Sequence, residues 1–367
     1  AYQQQVQTVV TQRVLPAYRT FLQFLQTEYL PNAPAAIGVA GITDGKAFYR
    51  QRVQFFTSFD ITPEEVFATG QREVARIRAE MEAIIKELKF AGSYADFLNF
   101  LRTDPQFYVT TEEALLKEAA WITKRMEGKL PEYFNTLPRL PITVTPVDPA
   151  IAPTYTAGRY SPGSYQNHRA GRYLVNTYDL PSRPLYVLPA LTLHEGVPGH
   201  HTQMMLAAEL ENVPDFRRNT YLSAFGEGWA LYCEYLGEEA GIYQTPYERF
   251  GRLTYEMWRA CRLVVDTGLH DKRWTREEAI EYLTVNTPNP DGDIRKAIER
   301  YIVYPGQATA YMIGKLKIME LRSRARAELG EAFDIRGFHD VILTSGPVPL
   351  SIMEENVDAW VASQKES

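Results

Sequence analysis

The chain has 367 residues, with 39 Lys or Arg against 45 Asp or Glu and a formal net charge of −6. Its 23% charged and 45% hydrophobic residues are those of an ordinary folded domain, which excludes a disordered chain, a collagen or a fibre. The acidic balance, without Lys/Arg runs, argues against a nucleic-acid partner or an anionic membrane surface, and no apolar run approaches the roughly 20 residues of a membrane span.

Up to about residue 138 the pattern is helical. Val6, Val9, Val10, Leu15, Tyr18, Leu22 and Leu25 recur mostly at three or four residues, in a helix that Pro16 kinks or divides. The chain opens at Ala1 inside this pattern, so it is read as the C-terminal portion of a longer protein. Thr62-Pro63-Glu64-Glu65 is a capping box with Pro at the first helical position. It predicts a helix to about Leu88 with Val66, Val74, Ile77, Met81 and Ile84 inward. Similar starts stand at Ser93-Tyr94-Ala95-Asp96 and Thr110-Thr111-Glu112-Glu113. From 139 to 188 Pro, Gly, Thr and Tyr become frequent. Ile142–Thr145 and Arg172–Thr177 alternate as short strands do. The second of these is an ordinary sheet strand or an edge that pairs with substrate backbone through a contact from Asn176; the first reading is preferred. Helices return from Leu188, with a capping box at Thr275-Arg276-Glu277-Glu278 and helical patterns at about 247–270, 306–329 and 350–363. Two cysteines, Cys233 and Cys261, make no disulfide framework. The expected fold is mainly α with a small β-sheet (α+β), in one unit over 1–367: helical over 1–138, a small sheet over 139–188, and helical with the site over 189–367.

Histidine is scarce, and three of the six lie between positions 194 and 201. His194-Glu195 matches the opening of the His-Glu-x-x-His motif, in which two histidines one turn apart bind zinc and the Glu acts on a water. Here the next histidine comes two residues late. In a straight helix His200 would point about 120° away from His194, and His201 would share its face but lie about 10.5 Å along the axis. Pro198-Gly199 makes a straight helix unfavourable, and a two-residue bulge there would return His200 to the position the motif requires. Without a metal, the cluster is a set of histidines at a capped helix end. A third ligand is sought downstream. Glu227, flanked by Gly226 and Gly228, is the first candidate, and Glu234, on the same helical face, is the fallback. Without a metal, Glu227 is a helix-start carboxylate that favours the dipole.

The segments His194–Gln203, Gly226–Tyr232, Arg259–His270, Arg300-Tyr301, Pro305–Gln307, Tyr311 and Gly346–Leu350 together resemble the uncharacterised bacterial family DUF885. The family is similar to helical zinc metallopeptidases of the gluzincin kind, and many members resemble envelope lipoproteins. The resemblance implies a zincin-like helical architecture and one zinc ion on His194, His200 and Glu227, with Glu195 as general base. His201 becomes a supporting or substrate-contacting residue. Tyr311 is the first choice for the oxyanion donor, with Tyr301 and Tyr304 as alternatives. Arg262, near Arg259, and His270 are candidates for a substrate carboxylate. The implied activity is zinc-dependent hydrolysis of short peptides by a carboxypeptidase or dipeptidase, in the periplasm or at the envelope. The alternative is a non-catalytic envelope peptide-binding protein that keeps the fold. A serine hydrolase is disfavoured because no Gly-x-Ser-x-Gly elbow is present.

Overall fold

The computed structural model describes residues 1–33, 36–211 and 213–366, so Ser367, the end of the expected last segment, lies outside them. By its contacts the chain divides into two compact units, Ala1–Ile37 and Gly38–Ser367. The first holds α1 (Tyr2–Val9) and α2 (Leu15–Phe24), joined by a π-helical turn, Val10–Val14. Pro16 is the second residue of α2, so its missing donor falls on the widened turn. Apart from half-buried Leu25, residues 1–33 are exposed.

The second unit begins with α3 (Gly45–Thr57), α4 (Pro63–Glu87), α5 (Tyr94–Thr103), α6 (Glu112–Glu127) and α7 (Leu130–Tyr133). The capping boxes act as predicted: Thr62 Oγ1 accepts from the Glu65 N–H while the Glu65 carboxylate accepts from the Thr62 N–H, and Ser93 with Asp96 repeats the arrangement. A three-stranded sheet follows, of β1 (Ile142–Pro146), β2 (Gly158–Ser161) and β3 (Gly171–Val175). Its order is β1-β3-β2, with β1 parallel and β2 antiparallel to β3. The strand read at Arg172–Thr177 is therefore the central one, paired on both sides, and no edge is left there for a substrate. Asn176 is fully buried and ties down a loop: its Nδ2 donates to the carbonyls of Ala152 (2.9 Å) and Thr156 (3.1 Å). The edges are β1 and β2, and the sequence reading did not single out β2.

The rest is helical: α8 (Leu188–Glu195), α9 (His200–Glu209), α10 (Asp215–Asn219), α11 (Ser223–Glu239), α12 (Pro246–His270), α13 (Arg276–Asn286), α14 (Asp291–Val303), α15 (Ala310–Leu329), α16 (Ile335–Leu343) and α17 (Leu350–Lys365). Helix α12 is the core of the unit, packed along α4 and against α8, α13 and α15. It is buried nearly all round, yet Arg252, Glu256, Arg259, Arg262, Asp266 and His270 recur on it at three or four residues as a buried polar stripe. The N-terminal end of the stripe is self-neutralising. Glu256 accepts from Arg252 (2.6 Å), Arg76 (2.5 Å) and Lys315, and these cations hold its pKa down against the effect of burial.

Candidate metal centre and substrate cavity

Helix α8 carries His194 and Glu195 on its last turn and ends at Gly196; α9 restarts at His200. The expected two-residue bulge is thus a full break in the helix. Gly199 is obligatory there, because a Cβ on it would stand 2.0 Å from the His194 carbonyl oxygen. The break is pinned from α11, where Trp229 Nε1 donates to the Pro198 carbonyl at 2.9 Å. Breaking and redirecting the helix removes the 120° error, and the rings of His194 and His200 come to lie 4.9 Å apart and perpendicular.

Glu227 is on the first turns of α11. Its position follows from the close approach of α11 to α15: a Cβ on Gly228 would stand 2.5 Å from the Gly314 Cα. Glu227 Oε2 lies 3.4 Å from His194 Nε2 and 3.4 Å from His200 Nε2. Ligands about 2.1 Å from a tetrahedral zinc are separated by about 3.4 Å. Oε2 is buried and accepts no hydrogen bond from the described residues, so a lone pair is left for a cation. Burial disfavours the His194 imidazolium, but the carboxylates of Glu227 and Glu234 outweigh it and push the pKa up to about 9. Burial likewise disfavours the Glu227 carboxylate, and His200 and His194 hold its pKa well below the usual range. A pocket that draws positive charge so strongly fits a divalent cation held by these three residues, whose ligand atoms lie within 4.8 Å of one another.

Glu234 takes a different place from the fallback role considered for it. His194 Nδ1–H donates to its Oε1 at 2.7 Å, so Glu234 orients the imidazole from the far side. Glu195 lines the cavity beside the histidines. The Tyr160 N–H, on the free edge of β2, donates to Glu195 Oε2 at 2.7 Å; the other carboxylate oxygen has no hydrogen-bond partner among the described residues.

These groups open into a cavity of about 1250 Å³, larger than the roughly 300–1,000 Å³ of a drug-sized site. Tyr311, on the first turn of α15, stacks its ring on His194 at 6.4 Å and 18°. Arg262 places its guanidinium 4.5 Å from the Tyr311 ring centre and 4.6 Å from that of Trp258, and its Nε donates to the Tyr301 hydroxyl at 2.8 Å. Tyr304 also lines the cavity.

Three expected residues do not reach the cavity wall. Tyr301 is buried behind Arg262, and its hydroxyl also accepts from Trp258 at 3.1 Å. His270 is fully buried, with Nδ1 accepting from the Val39 N–H (3.3 Å) and Nε2–H donating to the Tyr301 carbonyl (2.8 Å). His201 faces the sheet, where Nδ1 accepts from the Tyr160 hydroxyl (2.9 Å) and Nε2–H donates to the Leu140 carbonyl (3.1 Å). With both ring nitrogens committed, neither histidine has a free group for substrate. Two residues were missed. Tyr221 lies over Gly226 with its hydroxyl near Glu227, and Arg300 lines the cavity next to Tyr311. Arg300 adjoins Tyr301, and the i, i+4 pair Lys296/Arg300 was the available signal.

The chain belongs to the family described as bacterial protein of unknown function, DUF885, whose model matches residues 1–357. It is similar to two solved structures, each described as a "putative lipoprotein". That from Colwellia psychrerythraea is 35% identical with a TM-score of 0.94, and the match covers 96% of this chain and 61% of that one. That from Shewanella oneidensis, described as of unknown function, is 20% identical with a TM-score of 0.75 over 92% of this chain and 62% of that one, and shares the fold. The chain therefore spans less than two thirds of the length of either. No curated protein matches it.

Proposed function

We propose that this protein is a zinc-dependent peptidase of zincin-like helical design that shortens peptides from a free C-terminus. The observation that carries the reading is the set of three buried ligand atoms, His194 Nε2, His200 Nε2 and Glu227 Oε2, beside Glu195 in an arginine-lined cavity. Zinc bound there supplies Lewis-acid polarisation of a water and of the scissile carbonyl. Glu195, steadied through Oε2 by the Tyr160 N–H, takes a proton from the attacking water on its other oxygen and passes it to the leaving amine. The Tyr311 hydroxyl donates to the developing oxyanion. Arg262, with Nη1 buried and unpaired, receives the C-terminal carboxylate. Gly158, Arg159 and Tyr160 of β2 line the cavity, so the outward backbone groups of that strand, other than the Tyr160 N–H held by Glu195, are available to substrate backbone.

The lipoprotein description of the Colwellia relative supports an envelope location. It is equally compatible with the second reading, an envelope protein that binds peptides without turnover. One assay separates the two. Zinc-loaded protein is incubated with a pool of short peptides and the products are read by mass spectrometry. C-terminal shortening is expected, reduced at least about 100-fold by Glu195→Gln with zinc content retained. Turnover undiminished in E195Q would overturn the mechanism, and binding without turnover in zinc-replete protein would favour the second reading.

A further inference from the structure

The protein is acidic overall, yet eight Lys or Arg and only four Asp or Glu line the cavity. Two of the four acids, Glu195 and Glu227, belong to the metal centre, and a third, Asp293, stands 3.9 Å from Arg183. Among the cations, Arg159, Arg262, Lys296 and Arg300 form no ion pair with a carboxylate of the described residues.

Arg262 is the most confined of these. It is 5% exposed, and its Nη1 is buried without a hydrogen-bond partner. Trp258, Tyr311 and Tyr301 hold its guanidinium by their ring faces at 4.6, 4.5 and 5.7 Å, which stabilises the cation without neutralising it. Burial presses its pKa down, and the charges of Arg300 and Arg259 add to this. The only carboxylate of the described residues that Arg259, one turn away, pairs with is Glu234, at 3.6 Å, which is already committed to His194. On α14, Lys296 and Arg300 are one turn apart, both line the cavity, and Arg300 adjoins Tyr311 from the other side.

One carboxylate satisfies one guanidinium fork. The Arg262 site and the Lys296/Arg300 site together carry more charge than a single C-terminal carboxylate can match: Arg262 is buried, where an unpaired cation is costly, and the exposed Lys296 and Arg300 add positive potential beside it. We infer that this end of the cavity receives a dianionic terminus, a peptide whose last residue is Asp or Glu, with its α-carboxylate on Arg262 and its side-chain carboxylate on Arg300 and Lys296. The inference rests on the proposed C-terminal recognition and names the substrate class it serves.

Binding to the full chain, freed of metal with a chelator so that nothing is turned over, tests it by calorimetry. At low ionic strength Ala-Glu is expected to bind about tenfold or more tighter than Ala-Gln. The difference should shrink in 0.5 M salt (about a 4 Å Debye length). The double substitution K296Q/R300Q, at two exposed positions, should bring Ala-Glu down to the level of Ala-Gln. Arg262→Gln should weaken both. Equal affinities for the two dipeptides in the unsubstituted protein, or a preference that survives K296Q/R300Q, would overturn the inference. The two readings fail separately. A dianion preference without cleavage of any peptide sinks the peptidase but not this site. Cleavage with no such preference sinks this site alone.

Discussion

Replacing Glu234 by Gln isolates the role of the carboxylate behind His194. The perturbation is nearly isosteric and keeps an oxygen able to accept from His194 Nδ1–H, now 2.7 Å from the carboxylate, in a place where the two side chains are 3% and 1% exposed. What is lost is the charge. A hydrogen bond to an ionised acceptor is worth about 1.5–3 kcal/mol, and a neutral one about 0.5–1.5 kcal/mol. The difference of about 1–2 kcal/mol corresponds to roughly 5- to 30-fold in an equilibrium constant. The change also leaves Arg259, 3.6 Å away, without a carboxylate, and its charge then opposes a cation at His194. The zinc dissociation constant should therefore rise about 10- to 100-fold, as expected for the partner of a metal-binding histidine. Competition against a chromogenic chelator at neutral pH measures it. An affinity within twofold of the unsubstituted protein would refute the orienting role. Complete loss of zinc, equal to that of His194→Ala, would make Glu234 a ligand and displace Glu227.

Gly228→Ala would put a Cβ 2.5 Å from the Gly314 Cα, where backbone cannot yield, so it should destabilise by about 1–3 kcal/mol, visible as a lowered Tm, and weaken zinc binding through Glu227; an unchanged Tm would contradict the close contact of α11 and α15. Trp229→Phe removes the donor to the buried Pro198 carbonyl and should cost about 1–3 kcal/mol in urea unfolding, with zinc affinity reduced because the break before His200 loosens. His201 and His339 are held neutral by burial, with folded pKa values lowered to about 4 and about 3 against 6.5 for a free histidine. The unfolded chain then binds protons first, so this contribution to stability is full above pH 6.5 and is lost as pH falls towards 4 and 3. Going from pH 6.5 to 4.5 should cost about 2 kcal/mol for each histidine. His339→Gln should flatten the pH dependence of urea unfolding, and an unaltered slope would count against a neutral His339.

Local signals were legible in the sequence and non-local ones were not. Thr62/Glu65 and Ser93/Asp96 form their caps within four residues, so the starts of α4 and α5 could be read directly. The same holds for Thr275/Glu278 at α13. The Pro198-Gly199 pair announced an interruption, but whether it was a bulge or a break depended on what α11 does there through Trp229. Glu227 and Glu234 share a helical face two turns apart, about 10.5 Å along the axis, so spacing alone could not rank them. In the fold they bracket His194, one at Nε2 and the other at Nδ1. Strand β2 has four residues and is defined only by its pairing with β3, so no local pattern marked it as the edge beside Glu195. Direction was the other hidden quantity. Each residue turns a helix by about 100°, which sends His201 to the sheet while His200 faces Glu227, and puts Tyr301 in the core while Arg300 lines the cavity.

Anomalous scattering recorded on both sides of the zinc absorption edge, from crystals of the zinc-loaded chain, addresses the metal centre directly. The expected result is one strong difference peak about 2.1 Å from His194 Nε2, His200 Nε2 and Glu227 Oε2 together. A fully zinc-loaded crystal with no peak there, or with its only peak at other residues, would contradict the account.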